Sequence, residues 1–207
     1  MSADNLVREL ADKARVAART LIAADYKTRT NALLAIADAI VANTAVIEAA
    51  NSVGIDREKS AGMSGSLLDR LLLTPERILG IATGARKVAA LPDPLNQVLR
   101  ERTLENGLHL KQVTVPFGVV GMVYEARPNV TVDAAVILLA SGNAALLRGS
   151  SSACESNATL VKIMQDALSK TTISADVIQL VPSEDRESVR ALLHARGSVD
   201  LVIPRGS

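Results

Sequence analysis

The chain has 207 residues, enough for one sizeable core or two small ones, and 48% of them are hydrophobic, as in an ordinary globular protein. Its formal net charge is +1, and no basic block or interleaving of aromatics offers a footprint for a phosphate backbone, which argues against nucleic-acid binding. The N-terminus, MSADNLVREL, lacks the apolar core of a secretion signal, and the longest apolar run, 134–140, falls far short of the ~20 residues that span a bilayer. A single cysteine excludes an internal disulfide and fits a reducing, cytoplasmic setting. Tyr26, Phe117 and Tyr124 are the only aromatics, so the core must be built from Leu, Ile, Val and Ala.

Residues 1–94 read as helical. Leu6, Leu10, Ala14, Ala17 and Leu21 recur at helical spacing, as do Leu33, Ile36, Ile40 and Ile47. Thr74-Pro75-Glu76 is a helix start, with Thr74 as cap and Pro75 in the first turn, where its missing N–H costs nothing. That helix should run to about Ala90 and stop before Pro92 and Pro94. Gly80 and Gly84 each weaken it by about 1 kcal/mol relative to alanine, so packing must hold it.

Segment 95–115 reads as a β-hairpin, with arms at 97–102 and 108–115 around the Asn106-Gly107 turn. From 116 to 207 strands and helices alternate. Strand 118–124 feeds helix 131–141, strand 144–148 feeds helix 155–169, and strand 177–181 feeds helix 184–195 before a last strand at 199–203. Four strands joined by three crossover helices imply an α/β fold, a parallel Rossmann-type sheet with helices on both faces. The last strand ends in Pro204-Arg205-Gly206-Ser207 without a helix to cover it. Complete proteins usually cover such an apolar edge, so the expectation is the front part of a longer protein.

Ligands of such sheets sit beyond the carboxyl ends of the strands, and three of those ends carry chemistry. In VPFGVVGMVYEARPNVTVD, 115–133, an apolar strand breaks into Glu125, Ala126, Arg127, Pro128 and Asn129. Asn129 reads either as a helix cap or as an amide that donates to a developing oxyanion. The second end, Arg148-Gly149-Ser150-Ser151-Ser152, precedes a helix near Cys154. It suits a phosphate or ribose, or else is a polar loop with a serine cap. The third is Pro204-Arg205-Gly206. No GxGxxG fingerprint is present. Cys154 has no histidine nearby in sequence and reads as a small buried or capping residue rather than a nucleophile. His109 and His194 share no metal-ligand spacing with each other or with Cys154, so no metal site is expected. The charges between Glu184 and Arg190 read as a solvated helix face.

VPFGVVGMVYEARPNVTVDAA, GNAALLRGSSSACESN and DLVIPRGS closely resemble the γ-glutamyl phosphate reductases, as do LLDRLLLTPERILGIA and the DPLNQV turn. The resemblance implies an aldehyde dehydrogenase-like fold: a Rossmann-type cofactor domain whose helical part is 1–94 and whose sheet is 116–207, with 95–115 as an oligomerisation-type hairpin. It implies NADPH as cofactor, L-glutamyl 5-phosphate as substrate, and release of phosphate and L-glutamate 5-semialdehyde in proline biosynthesis. Asn129 then maps to the oxyanion donor, and Glu125 and Arg127 to the substrate side. Arg148, Gly149, Ser150, Arg205 and Gly206 map to the cofactor. Ser207 stands where the family usually has a second glycine. The family's cysteine nucleophile belongs to a catalytic domain downstream of IPRG, so the expectation is that this chain is inactive alone and that its parent is a cytoplasmic homo-oligomer. The alternative is a standalone NADPH-binding module without catalysis, and a third reading is a helical partner domain that binds no nucleotide.

Overall fold

Helix starts fall where capping chemistry places them. Ser2 accepts from the Asn5 N–H to open α1 (Ala3–Ala23), Asp25 accepts from Thr28 to open α2 (Tyr26–Ala42), and Thr74 accepts from Arg77 to open α5 (Pro75–Ala89). Between them lie α3 (Thr44–Ser60) and the short α4 (Gly65–Leu71). The apolar series Leu33, Ile36, Ile40, Ile47 does not follow one helix. The chain bends by 68° between α2 and α3 at Asn43, whose Nδ2 donates to the Ala39 carbonyl. The computed structural model of the chain describes residues 2–183 and 186–206. Among these, no single helix is long and apolar enough to cross a membrane.

The hairpin forms as read, with slightly shorter arms: β1 (Val98–Thr103) pairs antiparallel with β2 (His109–Val113), and both strands are exposed along their length. Four further strands, β3 (Val119–Tyr124), β4 (Ala144–Arg148), β5 (Ile178–Leu180) and β6 (Leu201–Arg205), form one parallel sheet in the order β5-β4-β3-β6. The crossovers through α6 (Asn129–Ala140) and α7 (Cys154–Leu168) both step from β3 toward β5, whereas α8 (Glu187–His194) returns the chain past β3 to β6. Right-handed crossovers therefore put α6 and α7 on one face and α8 on the other, beside α1. Helices α2, α3 and α5 pack outside α6 and α7 as a further layer. Tyr124 is the one aromatic in a core otherwise made of Leu, Ile, Val, Ala and Met.

The element boundaries differ from expectation in informative places. Helix α6 begins at Asn129 rather than 131, because Pro128 (φ −58°, ψ −29°) has already turned into helical space. A 3-10 turn, Ser151–Ala153, precedes α7. Helix α8 starts at Glu187, and residues 184 and 185 of the expected helix lie outside the described residues, as does Ser207. The last strand runs two residues later than 199–203. Val199 makes only an isolated bridge with Arg196, and Asp200 is used as a cap.

That cap is one of two clamps at the amino edge of the sheet. Asp200 Oδ2 accepts the Val119 N–H at 2.8 Å and is held by Arg15 from α1 at 3.0 Å. Asn143, buried just before β4, accepts the N–H groups of Phe117 and Gly118 at 2.7 and 3.0 Å. Its own Nδ2 donates to the Ser141 carbonyl and hydroxyl. Asn143→Ala leaves two partly buried N–H groups unsatisfied and should cost about 2 kcal/mol or more. Urea denaturation should show a lower midpoint with an unchanged slope.

Candidate functional site

The sheet changes direction beside β3: β4 lies on one side of it and β6, reached last, on the other. The chain leaves β3 through α6 on one face and reaches β6 through α8 on the other, so the carboxyl ends of β3 and β6 border the switch point, the usual ligand position in such sheets. Register aligns Tyr124 with Arg205 across β3–β6, and Val123 with Arg148 across β3–β4, so all three sequence-marked strand ends meet at one edge. Glu125, half-buried, lies against Gly206. Gly206 has φ 142°, and a Cβ there would come within 2.8 Å of Glu125 Oε1, so conformation and space both require glycine.

Two clefts open at this edge. One, of about 440 Å³, runs between Met63, Leu67 and Arg70 on one side and Tyr124, Glu125, Arg127, Arg148 and Ser150 on the other. The second, of about 450 Å³, lies between α4–α5 and the start of α6 and is lined by Asp69, Arg70, Arg77, Arg127, Asn129 and Asp133. Arg70 and Arg127 belong to both and form the wall between them. A third cavity, about 230 Å³ and mostly apolar, lies among Tyr26, Leu33, Val88, Pro92, Pro94 and Ile137 and contains none of the sequence-marked residues.

Asn129 is not the cap that one sequence reading allowed. It is the first helical residue, and its Nδ2 donates to Asp133 Oδ2, one turn on, at 3.0 Å. Burial pushes the Asp133 carboxyl above the usual carboxylate range, a shift that the Asn129 hydrogen bond and the charge of Arg205 reduce but do not reverse. Ser150, in contrast, does cap: its hydroxyl accepts the Ser152 N–H at 3.3 Å at the start of the 3-10 turn. Arg148 turns toward α8, with its Nε 3.3 Å from Ser188 Oγ, while still lining the first cleft.

Gly149 answers to what lies beneath it. Tyr124, Thr131 and Asn157 form a buried hydrogen-bonded chain, Tyr124 Oη to Thr131 Oγ1 at 2.7 Å and Thr131 Oγ1 to Asn157 Oδ1 at 2.7 Å. Burial drives the Tyr124 hydroxyl far above its ordinary pKa and keeps it neutral. A Cβ on Gly149 would stand 2.9 Å from Tyr124 Cε2 and closer still to the Asn157 amide. The absence of a side chain at 149 is thus required by the core beneath it. Cys154 starts α7 half-buried, with its Sγ 3.2 Å from Arg57 Nη1. His109 bonds Thr103 in the hairpin, and His194 ends α8.

Glu125, Arg127, Asn129, Arg148, Gly149, Ser150, Arg205 and Gly206 therefore gather at one edge, apart from Cys154, His109 and His194. What sequence reasoning missed is Arg70. It sits in LLDRLLL, which reads as one more apolar helical run, and only the packing of α4 brings it to the clefts.

No protein-family model matches the chain. Among solved structures it is similar to a γ-glutamyl phosphate reductase from Thermotoga maritima, at 35% identity and a TM-score of 0.95, over 97% of this chain and 49% of that one. It is similar also to one from Saccharomyces cerevisiae, at 33% identity and a TM-score of 0.87, over 96% of this chain and 51% of that one. The chain thus spans about half the length of these relatives. The glyceraldehyde-3-phosphate dehydrogenase GapN from Methanocaldococcus jannaschii, solved in complex with NADP, shares the fold alone, with 17% identity and a TM-score of 0.68 over 98% of this chain and 41% of that one.

Two outcomes follow from the geometry. Gly149→Ala should cost about 1–3 kcal/mol through overpacking against buried neighbours, read as a lower midpoint in chemical denaturation. For Asp133, a raised folded-state pKa means that the folded protein holds a proton the unfolded chain has released, so stability falls as pH rises through that interval. Asp133→Asn keeps the oxygen that accepts from Asn129 and removes the charge. It should raise Tm at pH 7 by up to about 2 °C, with the difference vanishing below the unfolded carboxyl pKa; a gain that persists at pH 3 would contradict this.

Proposed function

The chain belongs with the γ-glutamyl phosphate reductases and has the aldehyde dehydrogenase fold, and we propose that it supplies the cofactor-binding part of an NADPH-dependent reductase of L-glutamyl 5-phosphate. The product would be L-glutamate 5-semialdehyde with release of phosphate, a step of proline biosynthesis placed in the cytoplasm. The observation that supports this reading is the alignment of strand ends at the switch point: Arg148 and Ser150 line one cleft, and register puts Arg205, followed by Gly206, at the adjoining end of β6. Two guanidinium groups and a hydroxyl suit a phosphorylated, anionic dinucleotide.

In this arrangement Arg148 and Ser150 hold the adenosine ribose and its 2′-phosphate. Arg205 and the side-chain-free Gly206 border the cofactor phosphates. NADPH, when bound, supplies the hydride that reduces the acyl group. Asn129 supports a developing oxyanion through its carboxamide, whose orientation the Asp133 hydrogen bond fixes. Glu125 and Arg127 face the substrate. The cysteine thiolate that attacks the acyl phosphate in this family is not supplied here, because Cys154 sits at the foot of α7 beside Arg57. Reduction of the substrate is therefore assigned to a longer protein that contains this segment, and the chain alone is inactive. The exposed hairpin at 98–113 is the segment through which a homo-oligomer would form.

Fluorescence titration of this chain tests the cofactor assignment. Arg148→Ala should weaken NADPH binding by about tenfold and NADH binding much less, since a guanidinium bonded to the 2′-phosphate is a charge-assisted contact. An unchanged NADPH affinity would remove Arg148 from the cofactor site.

A further inference from the structure

The wall between the two clefts is built around Arg70, which the proposed reaction does not yet use. The carboxyl end of its helix, α4, is held by two neighbours. Asn51, buried at 3% exposure in α3, donates to the Leu71 carbonyl and accepts the Leu73 N–H, each at 2.8 Å, and also donates to Ser156 of α7. Asp69, on the other side of Arg70, is ion-paired with Arg77 at 2.8 Å. Arg70 is thus presented from a fixed backbone.

Only some arginines of this chain are held in ion pairs. Arg15, Arg29, Arg57, Arg77 and Arg86 each pair with a carboxylate. Among the described residues, the Arg70 and Arg127 side chains have no hydrogen-bonded or ion-pair partner, yet both line the same two clefts. Both guanidinium groups are exposed, so water screens their mutual repulsion, and an anion lying between them would interact with both charges. Each offers a rigid fork of N–H donors, and one carboxylate saturates one fork. A phosphoryl group, with two negative charges and three non-bridging oxygens, matches two forks and both charges.

We propose that Arg70 and Arg127 form a clamp for the phosphoryl group of the acyl-phosphate substrate. The clamp rests on the reductase reading only for the identity of that substrate. Asn129 lines the cleft on one side of the wall, and Arg148 and Ser150 line the other. A phosphoryl group at the wall would lie within reach of the cleft that Asn129 lines.

The test uses this chain with two probes, inorganic phosphate and NADPH, titrated separately by calorimetry. Phosphate should bind the unmodified chain. Arg70→Ala should weaken it by about tenfold, the loss of one charge-assisted contact, and Arg70→Lys less. Arg86→Ala, whose side chain pairs with Asp38 away from the clefts, should leave it unchanged. NADPH affinity of Arg70→Ala should stay within about twofold. The clamp is overturned if phosphate does not bind, or binds Arg70→Ala as well as the parent chain. It is overturned also if Arg70→Ala loses NADPH in the same proportion as phosphate, because the arginine would then serve the cofactor's phosphates. Phosphate bound through Arg70 in a chain that binds no NADPH would uphold the clamp and overturn the cofactor reading instead.

Discussion

The geometry of the ligand edge depends on contacts made at the opposite edge of the sheet. Parallel strands meet only through long crossovers, so no tight turn sets their register. Here Asn143 and Asp200 set it. Each stands immediately before its own strand and takes backbone N–H groups at the start of β3 or just before it. With the amino ends of β4 and β6 both referred to β3, the pairing that follows sets Arg148 across from Val123 and Arg205 across from Tyr124. A slip of one residue in either pair would send every side chain of that strand to the other face. Arg15 extends the dependence to α1, because it holds both Asp200 and the Ser198 carbonyl.

A second constraint fixes the height of the loops above the sheet. Tyr124, Thr131 and Asn157 come from β3, α6 and α7, and their hydrogen bonds lie wholly inside the core. Each is satisfied, and a satisfied buried polar chain specifies one arrangement where an apolar one tolerates several. Gly149 sits on top of this chain with no room for a side chain, so the β4–α7 loop is drawn down onto it. The cofactor-side loop is thereby held by packing from below, before any ligand is present.

What could be read from the sequence follows from how local each signal is. The limits of β4 were legible because an apolar run ends in Arg-Gly, and the start of α5 because Thr74 and Pro75 are neighbours in the chain. The last strand was misplaced by two residues because Val199 and Asp200 look like strand, and only β3 shows that Asp200 has other work. Spacing left Asn129 open between cap and donor. The backbone of Pro128 removes the cap, because the helix has begun before Asn129 can occupy that position. Ser150 does cap the turn before α7, and it lines the first cleft as well. Arg70 left no local trace. Its position depends on Asn51, 20 residues upstream of the carbonyl it holds, and on Ser156, 105 residues downstream of that asparagine.

The near-neutral net charge of +1 conceals how the charges are placed. Away from the clefts, exposed pairs such as Arg86 with Asp38 contribute little to stability. At the carboxyl edge of the sheet the pattern changes. Arg70, Arg127, Arg148 and Arg205 border the clefts or the switch point, against Glu125 and an Asp133 carboxyl that burial already disfavours as an anion. Clefts with one dominant sign of charge and low-dielectric walls focus their field and raise the local concentration of oppositely charged solutes. The strand ends that topology brings together are thus also where this chain concentrates positive charge, and an anionic, phosphorylated ligand satisfies both facts at once.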